Sequence, residues 1–115
     1  MKDSDRPTKV TEAFDFSKPY VEPWEVAKIR YAVEEYEVYP SPHAEKAMLD
    51  DDIDIDDCYH VLKYGKAKDK DLPYNERGRP QGINFEGNIS DGRRFLVKVG
   101  WWRGYYEIAT TYELK

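Results

Sequence analysis

Cysteine, histidine and long apolar runs are scarce in this sequence, and each scarcity excludes a class of protein. Cys58 is the single cysteine among 115 residues, so an internal disulfide is excluded. Cys58, His43 and His60 are too few for a structural zinc site and lack its paired spacing. No apolar run approaches the roughly 20 residues that cross a membrane, and residues 1–6 lack the apolar stretch of a signal peptide. We therefore expect a cytoplasmic protein with no membrane span, no metal and no cofactor.

Charged residues, by contrast, are abundant and unevenly distributed. They make up 36% of the chain, and the net charge is −5. Residues 43–57 hold 1 basic and 7 acidic side chains, whereas residues 58–115 hold 11 basic and 7 acidic ones. An acidic total disfavours broad affinity for nucleic acid, because phosphate binding needs local positive potential. Any contact with RNA is therefore expected within residues 58–115.

The first half of the chain carries helix signals. The length fits one domain, and we predict an N-terminal arm over residues 1–22 followed by a single α+β domain over residues 23–115. Helices are predicted over residues 23–35, 43–49 and 55–64. Pro23 suits a first helical turn, Ser41 and Asp54 can cap the second and third helices, and Gly65 suits the end of the third.

The second half carries strand signals. Strands are predicted over residues 83–89, 93–99 and 105–114, with residues 66–82 as a long polar loop and residues 36–39 as a short extended link. Simple alternation would place Tyr106, Ile108, Thr110, Tyr112 and Leu114 on one face of the last strand. The predicted fold is therefore two to three N-terminal helices packed on a twisted antiparallel sheet of three to four strands.

The acidic run at residues 50–57 (DDDIDIDD) allows two interpretations. An EF-hand calcium loop beginning at Asp52 would need glycine at its sixth position and glutamate at its twelfth, where the chain has Asp57 and Lys63. Helix capping on a solvated corner explains most of these carboxylates. The alternative is a docking surface for a basic protein partner, with Asp50, Asp51 and Asp52 as its contact residues.

The remaining candidates for chemistry are a histidine and a group of basic residues. His43 stands at the start of a predicted helix, where an imidazole can act as an acid or base or can bind phosphate; an exposed or capping histidine is the plainer interpretation. Basic residues with interleaved aromatics can hold single-stranded RNA by phosphate contacts and base stacking, although ordinary sheet decoration is at least as common. The candidate RNA-binding residues are Lys46, Arg77, Arg79, Arg93, Lys98, Trp102 and Arg103.

Four short motifs resemble a known family. They are residues 43–48 (HAEKAM), 53–58 (IDIDDC), 61–65 (VLKYG) and 108–113 (IATTYE). In that order they resemble the histidine-containing helix, the helix cap, the helix end and the last strand of an uncharacterised domain family related to the RelE-like and MqsR-like toxins. The resemblance covers roughly residues 26–114. It departs from the family at the helix motif, where Lys46 is the nearest match to the usual arginine.

The resemblance implies a RelE-like fold and a metal-independent endoribonuclease of a toxin–antitoxin or mobile-element system, in which a ribose 2′-hydroxyl attacks the adjacent phosphate. His43, Thr110 and Tyr112 match the family's helix-start histidine and last-strand polar residues. Positive charge would come from Arg93, Arg94 or Lys98, none of which matches a motif of the family, and Arg94 is taken as the fourth catalytic candidate. RNA and an antitoxin protein are the implied partners. The alternative function is a non-catalytic binding module, such as a phage or mobile-element inhibitor, that uses the acidic surface. A small dimeric module resting on Trp101 and Trp102 is a third hypothesis.

Overall fold

The helices precede the strands along the chain, as their signals indicate, except that the short strand β1 (Val38–Pro40) lies between two helices. A computed structural model describes residues 7–115. In chain order the elements are α1 (Val10–Ala13), α2 (Pro23–Glu34), β1 (Val38–Pro40), α3 (Pro42–Asp51), α4 (Ile55–Tyr64), β2 (Lys66–Asp71), β3 (Gly82–Asn88), β4 (Arg94–Trp102) and β5 (Tyr105–Glu113). The predicted α+β class is confirmed.

Local capping explains where the longer helices begin. The Ser41 hydroxyl accepts a hydrogen bond from the Ala44 N–H at 3.0 Å and starts α3. At the start of α4, Asp54 accepts from the Asp57 N–H and Asp57 accepts from the Asp54 N–H, both at 3.0 Å. These are reciprocal capping bonds, in which two carboxylates satisfy amides that the first helical turn leaves free.

The strands form one mixed sheet in the order β1-β5-β4-β3-β2, with β1 parallel to β5 and the other neighbours antiparallel. The prediction of a loop over all of residues 66–82 is wrong for Lys66–Asp71, which form β2. This segment (KAKDKD) lacks the apolar alternation from which strands are predicted. It forms a strand because its backbone pairs with β3 at the edge of the sheet. Charged side chains are common on edge strands, where they discourage pairing with other chains. The predicted extended link contributes the other edge, β1.

A β-bulge in β5 changes which side chains share a face. Lys98 of β4 pairs with Thr110, but Val99 pairs with Ile108, so Ala109 is an extra residue. Ile108 therefore points to the same face as Val97 and Val99, whereas Thr110 and Tyr112 point to the opposite face. The prediction of one shared face for residues 106, 108, 110, 112 and 114 is wrong, because one inserted residue reverses the alternation.

The helices pack on one face of the sheet and enclose the core, which includes Phe85, Val97 and Ile108. Residues 7–22 of the predicted arm join it, since Ala13 and Phe14 are 0% and 1% exposed; residues 1–6 lie outside the described residues. We call the opposite side the open face. It carries alternate residues of the central strands: Asn84, Glu86 and Asn88 of β3, Arg94, Leu96, Lys98, Gly100 and Trp102 of β4, and Tyr105, Glu107, Thr110 and Tyr112 of β5.

Candidate functional site

Three of the four predicted catalytic residues lie on the open face. Thr110 is opposite Lys98, Tyr112 is opposite Leu96, and Arg94 is two residues further along β4. The Tyr112 ring is exposed, and Thr110 is partly exposed. The Arg94 guanidinium lies 3.5 Å from the Glu86 carboxylate. The bulge at Ala109 is what turns both hydroxyl-bearing side chains outward together.

The fourth, His43, is exposed in the first turn of α3. Two hydrogen bonds from Ser41 fix this end of α3 beside the bulge: its N–H donates to Ile108 O, and its hydroxyl donates to Ala109 O, both at 3.0 Å. The first turn of α3, which carries His43, therefore lies beside residues 108–109 of β5, while α3 itself packs on the face of the sheet opposite Thr110 and Tyr112. Among residues 7–115, no hydrogen bond or ion pair links the His43 ring to Thr110, Tyr112 or an arginine.

Lys98 belongs to a buried polar network that holds the loop at residues 72–81 over one end of the open face. Its ammonium group is 2.7 Å from the Asp71 carboxylate and donates a 2.7 Å hydrogen bond to Pro80 O. Asn84 donates to Asp71 at 2.9 Å. Burial by itself would raise the pKa of Asp71, but the hydrogen bonds from Lys98 and Asn84 outweigh it, so the pKa lies below its usual value. The Lys98 ammonium group thus faces the loop rather than solvent.

Two predicted RNA-binding arginines are also engaged with the protein. Arg93 donates to Asp51 O at 2.7 Å, pairs with Asp91 at 2.8 Å and lies 5.2 Å from the Phe95 ring centroid. It therefore secures the end of α3. Arg77 lies 3.3 Å from the Asp71 carboxylate.

The other four predicted RNA-binding residues are exposed. Arg103 lies 5.0 Å from the Trp102 ring centroid, and both side chains face solvent. Arg79 and Lys46 are exposed, and among the described residues neither side chain has a hydrogen bond or an ion pair. Of the predicted RNA-binding cations, Lys46, Arg79 and Arg103 are therefore available to a ligand.

A cleft of about 420 Å³ opens between the loop and the open face. Glu107 lines it, is half-buried, and receives no hydrogen bond or ion pair from residues 7–115. Burial raises the pKa of its carboxyl above the usual value. Sequence reasoning missed Glu107. The available signal was an acidic residue in the interior of a strand whose other interior residues are aromatic, β-branched or small, but the loop that covers it could not be located from the sequence.

The predicted partner-binding residues Asp50, Asp51 and Asp52 lie at the end of α3. We call these three residues the acidic corner. Arg93 bonds only to backbone carbonyls there, so among the described residues these carboxylates have no ion-pair partner. Leu49 beside them is 82% exposed. An apolar side chain next to unpaired carboxylates suits contact with a partner that is both basic and apolar.

Cys58 is not placed for nucleophilic catalysis. It is buried in the core, where its thiol lies 3.6 Å from the Met48 sulfur. Burial raises the pKa of this thiol to about 12. The reactive thiolate is therefore scarce at neutral pH.

A second cavity, of about 340 Å³, lies between α2 and the β4–β5 hairpin and is mostly apolar. None of the predicted site residues lines it.

Within residues 7–115 there is no helix with the length and apolar character to cross a membrane, and no group of three or more His, Cys, Asp or Glu side chains arranged to hold a metal ion. Comparison of the chain with protein-family models, curated proteins and solved structures gave no match.

Proposed function

We propose that this chain is a RelE-like, metal-independent endoribonuclease domain that acts on RNA at the open face of the sheet. One observation carries the proposal. The bulge at Ala109 turns Thr110 and Tyr112 onto the open face, and the Ser41 bonds hold the start of α3, with His43, beside that bulge. The motif resemblance assigns function to the same three residues.

The chemistry needs a base, an acid and positive charge. A histidine side chain can take the proton of an attacking ribose 2′-hydroxyl near neutral pH, and a tyrosine hydroxyl can donate a hydrogen bond to phosphate or leaving oxygen. Positive charge stabilises the pentacovalent phosphorus of the transition state. Arg94 lies on the same face as Tyr112, and Arg79 lies on the loop that covers the other end of that face. No metal ion is required for this transfer.

The layout of the molecule also supports the proposal. Within residues 7–115 the helices pack on one side of the sheet, so the part of the other side that the loop at residues 72–81 leaves uncovered can receive an extended strand of RNA. Exposed aromatic side chains such as Trp102 and Tyr112 offer stacking surfaces for bases. The net charge of −5 and the ion pairs around Lys98 predict modest, salt-sensitive affinity rather than tight general binding.

The test uses the two histidines of the chain as a matched pair. Full-length protein is incubated with single-stranded RNA in EDTA, and fragments are analysed for 2′,3′-cyclic phosphate ends. We expect His43→Ala to lower the cleavage rate by about 100-fold or more. His60→Ala, an exposed histidine on α4 that contacts Tyr64, should leave the rate unchanged.

Intact RNA with pure, folded wild-type protein would contradict the proposal. Equal loss of activity in both histidine variants would also contradict it, because the effect would then be general rather than local to the start of α3. Circular dichroism of both variants establishes that each is folded.

The second candidate function is non-catalytic binding of a basic protein at the acidic corner. In that case the chain would act as an inhibitor, such as one from a phage or mobile element, and the basic protein would be its target. The unpaired carboxylates and the exposed Leu49 favour it. The triple variant Asp50→Asn, Asp51→Asn and Asp52→Asn removes three charges, and asparagine tolerates the left-handed conformation of residue 52. A partner captured by wild type and lost by this variant, with RNA left intact, would favour binding over catalysis.

A further inference from the structure

The cleft beneath the loop at residues 72–81 is an open groove between that loop and the central strands. Its floor lies at Gly100, which has no side chain, and at Ala109, the extra residue of the bulge. A Cβ at position 100 would lie 3.2 Å from Gln81 O, so the loop approaches the strand closely there. A larger side chain at either floor position would fill the space in front of Glu107.

The loop that forms the roof is held in place by named contacts. The Asn75 side chain donates to Leu72 O at 2.8 Å and to Arg79 O at 2.7 Å, and it accepts from the Arg79 N–H at 3.1 Å. Lys98 holds the far end through Pro80 O. The cleft is therefore formed before any ligand enters, which lowers the ordering cost of binding.

The groups that line the cleft supply three kinds of interaction. Glu107 offers two acceptor oxygens and has no partner among residues 7–115. Arg79 offers a guanidinium that has no partner within the described part of the chain. Tyr74 presents a fully exposed ring from a left-handed backbone conformation with φ of 59°, which is uncommon for an aromatic residue and is often retained at functional positions.

We propose that this cleft is a base-recognition subsite that selects guanine, with Glu107 accepting hydrogen bonds from the N1–H and N2–H₂ groups of the base. Among the four RNA bases only guanine presents two adjacent donors on its Watson–Crick edge, and a carboxylate accepts two parallel hydrogen bonds. Tyr74 stacks on the base and Arg79 contacts a phosphate. The inference rests on the proposed function only in taking RNA as the ligand.

The experiment measures binding of 5′-GMP, 5′-AMP, 5′-CMP and 5′-UMP to the full chain by NMR titration, which needs no cleavage. Wild type should bind GMP roughly tenfold or more tightly than the other three nucleotides. Glu107→Gln, which keeps one acceptor and replaces the other with a donor, should reduce that preference to about twofold. Glu113→Gln is the matched control, because Glu113 is on the same strand but faces the helix side opposite Phe95, and it should keep the preference.

A variant in the loop guards against a folding artefact. Tyr74→Ala removes a side chain that is wholly in solvent, so it should fold, and it should weaken all four nucleotides by a similar factor without changing their order. Equal affinity of wild type for the four nucleotides, no binding of any, or a GMP preference that survives in Glu107→Gln would overturn the inference. If the protein cleaves RNA but binds the four nucleotides equally, the guanine subsite is overturned and the nuclease proposal stands. If it prefers GMP but leaves RNA intact, the nuclease proposal is overturned and the guanine subsite stands.

Discussion

At the scale of single residues, one buried ion pair determines how the N-terminal segment joins the domain. The Lys70 ammonium group and the Glu25 carboxylate are 2.8 Å apart, and both side chains are 0% exposed. Lys70 also donates to Asp15 O, and Glu25 accepts from the N–H groups of Asp15 and Glu22. The bonds of Lys70 join β2 to residues 15 and 25, and the bonds of Glu25 fix residue 15 and the start of α2. The pair therefore connects residues 15–25 to β2.

Lys70→Met is therefore expected to destabilise the fold strongly. It leaves Glu25 buried without its cation, and loss of one partner of a buried pair costs about 3–5 kcal/mol in the free energy of unfolding. Lys68→Met is the matched control on the same strand, because Lys68 is solvent-accessible in its pair with Glu86 and should cost under about 1 kcal/mol. Urea denaturation measures both. Equal effects would show that the pair does not support the fold.

Asp71 should make the stability depend on pH in the acidic range. Its pKa is lowered in the folded state, so its contribution is fully present above the unfolded pKa of about 3.9 and is lost as the pH falls through the folded value. The stability difference between wild type and Asp71→Asn should therefore be largest near neutral pH and shrink below about pH 4. Denaturant titrations at several pH values measure it, and a constant difference down to the acid limit of folding would contradict the assignment.

Residue-level sequence reasoning succeeded where the cause is local. Ser41 and Asp54 act as caps because the groups they satisfy lie within three residues of them. The environments of Glu107 and Lys98 were not predictable, because their burial depends on a loop that is distant from both in the sequence. The roles of His43, Thr110 and Tyr112 come from the motif resemblance and remain predictions.

At the scale of elements, the close approach of α4 to the sheet depends on glycine. Gly65 ends α4 and lies against β3, where an added Cβ would be 2.5 Å from the carbonyl oxygens of both Glu86 and Val61. Backbone atoms cannot yield as a flexible side chain can. The predicted role of Gly65 as a helix end thus has a second cause that the sequence did not reveal, namely contact with a strand more than 20 residues later.

Gly65→Ala should accordingly lower the free energy of unfolding by about 3 kcal/mol, because α4 must move away from β3. Gly78→Ala is the control: Gly78 has φ of +65° but open space around it, so only backbone strain of about 1 kcal/mol is expected. Thermal and urea denaturation measure both variants. A smaller effect at residue 65 than at residue 78 would contradict the packing seen between α4 and the sheet.

Strand prediction failed at the sheet's margins for a related reason. The central strands β3 and β4 have the β-rich composition that predicted them, whereas β1 and β2 exist through pairing with neighbours that lie far away in sequence. The bulge at Ala109 is likewise invisible in the sequence, although it decides which side chains of β5 reach the open face. Pairing between distant segments, rather than local preference, fixed these features.

At the scale of the whole molecule, the charge division seen in the sequence corresponds to two separate surfaces. The acidic corner ends α3 on the helix side of the sheet. The basic excess of residues 58–115 is partly neutralised by ion pairs on the open face, such as Lys98–Asp71 and Lys68–Glu86. A nucleic acid and a basic protein could therefore bind the same molecule at different places.

Two-dimensional NMR with a short single-stranded RNA shows which surface the ligand uses. The His43→Ala variant is used because slower cleavage leaves the RNA largely intact during the titration. We predict that the amide signals of Gly100, Thr110 and Tyr112 shift with added RNA, while those of Leu49 and the acidic corner remain in place. Shifts confined to the acidic corner, or no shifts at RNA concentrations at which the wild-type protein cleaves, would contradict the assignment of RNA to the open face.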